Sequence, residues 1–222
     1  EDITSRRLQE ARDVIGRQVE QMSRLVDDLL DVGRITSGKI RVEARPFPLL
    51  DAVRHAVEAV TPAIREKSHV LDVKVDDAGL WIDGDSARIV QVVANLLGNA
   101  AKFTDPGGRI DLRVARVGDS AEITVRDNGP GVAPNLLPAI FDMFVQGAQD
   151  EGRTAGGLGL GLSVVREMVA LHGGHVSAYS AGQPGRGCEF VVSLPAIEPP
   201  GASAASQAER AASHALHVLV VD

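Results

Sequence analysis

Three segments in fixed order restrict this chain more than any other feature: Asn95-Leu-Leu-Gly-Asn-Ala-Ala-Lys-Phe-Thr104, Asp127-Asn-Gly-Pro-Gly131 and Gly156-Gly-Leu-Gly-Leu-Gly161. The first sits inside helical periodicity, the second closes an alternating run, and the third precedes another helical run. Asparagines four residues apart on a helix share a face. An acidic residue followed by glycines turns the chain at a strand end, and alternating glycines ahead of a helix bare its first backbone amides. A chain that presents all three must combine strands and helices around one core. At 222 residues it can hold one substantial core with smaller appended elements.

Periodicity predicts where those elements lie. Residues 40–45 alternate as a strand, which Pro46 and Pro48 then break. Residues 50–66 and 86–102 have helical spacing, while 69–75 alternates as a half-buried strand does. Runs 109–116 and 121–126 flank the turn residues Gly118-Asp119, which predicts a hairpin. Residues 130–157 form a long, glycine-rich, weakly periodic connection, and such a connection in a compact domain is expected to act as a lid. A helix over 160–171 and strands over 175–180 and 189–194 complete the set.

The two ends carry other patterns. A heptad runs through Leu8, Ile15, Met22 and Leu29, with Ala11, Gln18, Leu25 and Val32 at companion positions and Val19 and Val26 widening the stripe. It predicts a long bundle or dimerisation helix, although a core-facing helix of the same domain would show a similar stripe. Residues 198–213 combine prolines with small residues and read as a linker. His217-Val-Leu-Val-Val-Asp222 is a short apolar strand ending in an acid.

The chemistry gathers in the middle. Asn95 and Asn99 project from one helix face with Lys102 close by, so an amide oxygen could reach Mg²⁺ and an ammonium group could reach phosphate. Solvated or capping asparagines are the plainer alternative. Asp127 could accept a hydrogen bond from an exocyclic adenine amine, with Gly129 and Gly131 allowing close approach; a simple turn would need the same residues. The glycines at 156–161 suit a phosphate loop but match neither the Walker pattern nor a dinucleotide fingerprint.

Taken together and in order, these segments resemble the ATP-binding domain of sensor histidine kinases. The resemblance covers roughly residues 5–195, and includes Phe141-Asp-Met-Phe-Val-Gln146 as the family's phenylalanine box and Val164-Val-Arg-Glu-Met-Val-Ala-Leu-His-Gly-Gly174 beyond the glycine loop. It implies an α+β fold, a two-layer α/β sandwich with a mixed sheet of the Bergerat type, preceded by the long helix. By resemblance Asn99 binds Mg²⁺, Asn95 lies near the phosphates, Lys102 contacts phosphate and Phe103 borders the nucleotide. Asp127, Gly129 and Gly131 read the adenine, and Gly157, Leu158, Gly159, Leu160 and Gly161 enclose the phosphates, with Arg153 as a lid candidate for the γ-phosphate. Phe141 and Phe144 would anchor one edge of the lid.

The same resemblance implies a domain plan. Residues 1–39 are the second helix of a dimerisation and phosphotransfer hairpin, 40–195 the ATP-binding domain, 196–215 a linker, and 216–222 the first strand of a receiver, as in a hybrid kinase. ATP and Mg²⁺ are the expected cofactors, with an acceptor helix, a receiver and a second copy of the chain as partners. The six histidines, His55, His69, His172, His175, His214 and His217, all lie outside the context of a phosphoacceptor helix, so structural roles are expected for them. The chain alone is therefore expected to bind ATP without phosphorylating itself. A scaffolding pseudokinase and an ATPase clamp of the chaperone or topoisomerase type are the other readings. A net charge of −7 without a basic cluster disfavours nucleic acid, and no apolar run approaches a membrane span. The single Cys188 fits a reducing, cytoplasmic setting.

Overall fold

The computed structural model describes residues 12, 15–16, 19, 22, 29–30, 33, 42–146, 158–183, 185–200 and the backbone of 216–220. Its elements run β1 Arg45–Pro48, α1 Leu49–Glu66, β2 Val70–Val75, β3 Trp81–Gly84, α2 Ser86–Phe103, β4 Arg109–Val117, β5 Ser120–Asp127, a 3₁₀ turn Leu137–Ala139, α3 Gly161–Leu171, β6 His175–Ser180, β7 Cys188–Ile197 and β8 Leu216–Val220.

The strands make one mixed sheet in the order β1-β3-β7-β5-β4-β2-β8, with β6 also paired to β7. β2 and β4 are parallel, in register from Val70 opposite Arg109 to Val75 opposite Val114. A parallel pair needs a crossover, and the path between these strands includes α2. The other pairs are antiparallel, with the hairpin β4–β5 in register from Ile110 opposite Asp127 to Val117 opposite Ser120. β7 takes β5 along one edge, and β6 and the end of β3 along the other.

Alternation assigns the two faces. Leu71, Ile110, Leu112, Val114, Ala121, Ile123 and Val125 are buried beneath the helices. On the opposite face Arg109 pairs with Asp72 and Asp111, and Arg113 with Asp76; such exposed pairs add little stability. α2 packs against both α1 and α3. Ile89, Val92, Val93, Leu96, Leu97, Ala100 and Ala101 form its buried stripe, which turns Asn95 and Asn99 to a half-buried flank. The Asp85 carboxylate caps α2 by accepting from Ala87 and Arg88 N–H at 3.1 and 3.3 Å.

Two expectations need correction. The first strand lies at Arg45–Pro48, not 40–45; residues 42–44 are irregular and 40–41 lie outside the described set. Pro46 and Pro48 are tolerated because β1 is an edge strand, paired on one side only with β3. β3 itself was not anticipated, because four residues are too few for an alternation to register. At the N-terminus the described residues are helical, and Ile15, Val19, Met22, Leu29 and Leu30 are exposed. The remaining seam positions lie outside the described residues, as does the linker after residue 200.

Candidate functional site

The end of α2 is held from two directions. Lys67 Nζ donates to the Ala101 and Lys102 carbonyls at 2.8 and 2.7 Å, satisfying acceptors that the helix leaves open. His69 Nε2 lies 3.1 Å from the Asp105 carbonyl; since a carbonyl only accepts, that nitrogen carries the proton. Lys102 follows Asn99 by one turn, and its Nζ lies 4.7 Å from the Phe103 ring centroid. Burial, with the nearby Lys67 charge, pulls the Lys102 pKa below the ordinary lysine value. Phe103 is half exposed, at 49%. Asn95 Nδ2 reaches the Gly161 carbonyl at 3.5 Å, so the asparagine face meets the start of α3.

Asp127 ends β5 with 8% exposure. Its carboxylate accepts from the Gly129 N–H at 2.8 Å and from the Cys188 N–H. Burial pushes its pKa up, and the two hydrogen bonds oppose that shift. The backbone around it is packed too tightly for side chains. A Cβ at Gly129 would come 2.9 Å from Asp127 Oδ1, and one at Gly187 would overlap the Asp127 carbonyl. Gly187 also has φ +64°, a conformation that disfavours other residues. Gly185 and Gly187 both donate to the Gly129 carbonyl at 3.0 Å. Thr104 Oγ1, buried with no partner among the described residues, belongs to a residue whose Cα lies against Gly129. The Cys188 thiol is pushed up to about 12, first by burial and then by the Asp127 charge.

The segment after Gly131, expected to act as a lid, is fixed to the core by one of its two phenylalanines. Phe141 meets Phe190 edge to face, with centroids 6.3 Å apart, and packs on the core. Phe144 does not anchor; it is 63% exposed with φ +64°. Its N–H donates to the Gly159 carbonyl at 3.1 Å, so its backbone meets the glycine loop while its ring stays exposed. Arg166 of α3 also reaches Asp142 at 2.9 Å. Leu158 is exposed, whereas the Leu160 side chain is in the core and its carbonyl accepts from Val164 N–H and Ser163 Oγ. Arg153, Gly156 and Gly157 lie outside the described residues.

Asn95 and Gly161 therefore meet where α2 faces the start of α3, Gly159 packs against Phe144 and Val145, and Asp127, Gly129 and Gly131 form a second cluster against the β6–β7 connection. Sequence reasoning overlooked that connection. Ser180, Gly187 and Cys188 all bond directly to the Asp127 cluster or its loop. The spacing Gly182, Gly185, Gly187 was the available signal.

Four histidines can be located by their side chains. His172 is buried and its Nε2 accepts from the Asp85 N–H, while His69 is buried beside β2. His55 and His175 are exposed, and His214 lies outside the described residues. No described helix is long and apolar enough to cross a membrane.

The described residues thus offer a buried acceptor walled by bare backbone at Asp127, a partly buried ammonium group at Lys102, and half-buried amides on one face of α2. Comparison with known proteins identifies the family. The family model described as "Histidine kinase-, DNA gyrase B-, and HSP90-like ATPase" matches residues 84–198. The chain is 35% identical over 178 residues to the circadian input-output histidine kinase CikA of Synechococcus elongatus, covering 79% of this chain and 23% of CikA. It is 37% identical over 183 residues to the sensor protein DivL of Caulobacter vibrioides, covering 82% of this chain and 23% of DivL. It thus spans about a quarter of the length of these relatives. Among solved structures, full-length ShkA in complex with AMPPNP superposes with a TM-score of 0.71 at 29% identity, covering 86% of this chain and 39% of ShkA. The sheet with helices on one face, the motif order and the family match lead to one conclusion: this chain belongs to the histidine kinase-, DNA gyrase B- and HSP90-like ATPase family, with sensor histidine kinases as its homologues.

Proposed function

We propose that residues 40–195 are the Mg·ATP-binding catalytic domain of a sensor histidine kinase. The observation that carries this reading is the buried Asp127 carboxylate, enclosed by glycine backbone at Gly129 and Gly187. A carboxylate desolvated in this way gains from a hydrogen-bond donor on its remaining lone pairs, and an exocyclic adenine amine is such a donor. Gly131 shapes the turn beside it. Lys102 contacts the phosphates, Phe103 borders the nucleotide, and Asn95 with Gly157, Leu158, Gly159, Leu160 and Gly161 lines the phosphate side.

Asn99 is the magnesium ligand in this reading. Among the described residues no three His, Cys, Asp or Glu side chains converge on a metal site. One neutral amide suits a cation that arrives on the nucleotide phosphates and keeps its other ligands there. Bound Mg²⁺ neutralises phosphate charge, and positioning by the residues named above supplies the rest of the catalysis.

In the wider reaction the γ-phosphoryl group passes to a histidine on a dimerisation helix and then to a receiver aspartate. Residues 1–39 belong to that dimerisation hairpin, the linker expected over 196–215 starts only after Ile197, because Ala196 and Ile197 complete β7 against β3, and 216–222 open a receiver of a hybrid kinase. The test is a titration of ATP with and without Mg²⁺, followed by addition of a separate acceptor-helix polypeptide and radiolabelled ATP. Magnesium-dependent binding that Asn99→Ala weakens, with label only on the added helix, supports the reading. Label on this chain alone as a stable phosphohistidine contradicts it.

A further inference from the structure

The connection between β6 and β7 is tied to the loop after Asp127 by one hydroxyl. Ser180 Oγ accepts from the Val132 N–H at 2.9 Å and the Gly182 N–H at 3.2 Å, and donates to the Gly187 carbonyl at 2.9 Å. A hydroxyl has one proton and two lone pairs, so all its capacity is used. The three partners lie on two segments about fifty residues apart in sequence. Both segments bear on Asp127: Gly187 packs on its carbonyl, Cys188 donates to its carboxylate, and Gly129 donates from the other side. Gly131 sits so near the hydroxyl that a Cβ there would come 2.7 Å from Oγ.

We propose that Ser180 is a positioning residue for base selection: its hydroxyl clamps the 129–132 loop to the 182–187 connection and so fixes the direction of the Asp127 carboxylate. This rests on the reading of Asp127 as the acceptor of the adenine amine. Alanine at Ser180 leaves two N–H groups and one carbonyl to find other partners, and the cheapest way is for the two segments to separate. The carboxylate then keeps its charge and loses its aim. A ligand that makes no use of the carboxylate should not register the change.

The experiment uses the full chain with Mg²⁺ and two probes, ATP and purine riboside triphosphate, which lacks the exocyclic amine. Ser180→Ala is expected to reduce the preference for ATP by about fivefold or more, the scale of a misdirected hydrogen bond to a charged group. The affinity for purine riboside triphosphate should change less than about twofold on the same argument, and Ser180→Thr, which restores the hydroxyl, should recover the preference. Equal weakening of both nucleotides, or an unchanged preference, overturns the proposal. Should Ser180→Ala fail to fold, Ser180→Cys keeps the volume with weaker hydrogen bonding, and an unchanged preference in that variant overturns it equally. Asp127→Asn separates the two claims. If it leaves the wild-type preference intact, the reading of Asp127 fails and the proposal with it; if it erases the preference while Ser180→Ala does not, only the role of Ser180 fails.

Discussion

The Nε2 of His172 accepts a hydrogen bond from the backbone N–H of Asp85 at 2.9 Å, across 87 residues of chain. Its other nitrogen donates to the Met168 carbonyl at 2.7 Å, so the ring carries its proton on Nδ1. The bond joins the end of α3 to the cap of α2, the two helices whose other ends carry Gly161 and Lys102.

His172→Ala is therefore expected to destabilise the fold by about 2–4 kcal/mol, since it leaves a cavity and orphans the Asp85 N–H donor. Urea unfolding measures this. Gly84→Ala should do comparable harm, because a Cβ there would overlap the imidazole ring. A loss below about 1 kcal/mol in both variants would show that the ring does not carry the contact.

Gly187 and Gly185 provide a paired test of the Asp127 enclosure. Both have positive φ, +64° and +79°, but a Cβ meets the Asp127 carbonyl at Gly187 and nothing within 4 Å at Gly185. Gly185→Ala should cost about 1–2 kcal/mol from backbone strain alone. Gly187→Ala should cost more and also weaken ATP binding, read by unfolding and titration of the same samples.

That difference marks the boundary of what the sequence made legible. Long helices could be read because stripes such as Ile89, Val92, Val93, Leu96 and Leu97 repeat locally. Asp127 could be placed at a strand end for the same reason. The Ser180–Val132 bond joins a side-chain hydroxyl to a backbone N–H 48 residues away, and nothing in the sequence around either residue signals the pairing, so only the folded chain displays it. β1 was misplaced because prolines stop a strand in general, and their tolerance depends on being at an edge, a property of the sheet and not of the segment.

Lys102 predicts an alkaline limit to nucleotide binding. Its pKa is lowered by burial and then by Lys67, so the free site loses this charge at a lower pH than an ordinary lysine would. Bound phosphate favours the ammonium form, which makes affinity full below that pKa and declining as pH rises through it. Lys102→Gln should weaken Mg·ATP about tenfold at neutral pH and flatten the decline. Lys67→Gln should move the decline to higher pH. Titration across the alkaline range decides it.

Asp127 predicts an acid limit with a contrary effect on stability. Its pKa is raised, chiefly by burial, so protonation removes the better acceptor above the usual carboxylate range and ATP affinity falls as pH drops. The folded state meanwhile binds this proton more tightly than the unfolded chain does. The cost of burying the charge is therefore present at neutral pH and is relieved as pH falls through the raised pKa. Thermal unfolding without nucleotide and ATP titration over the same acid range should show these opposite slopes at wild-type Asp127, both reduced in Asp127→Asn.

The most direct test of the central claim is the dissociation constant of Mg·ATP for the wild-type chain and for Asp127→Asn, measured by calorimetry at neutral pH. A site built to pair a substrate N–H discriminates strongly once its acceptor is altered, so the account predicts a loss of about a hundredfold or more, with the variant still folded. An unchanged dissociation constant would contradict it, because the buried carboxylate would then play no part in holding the base.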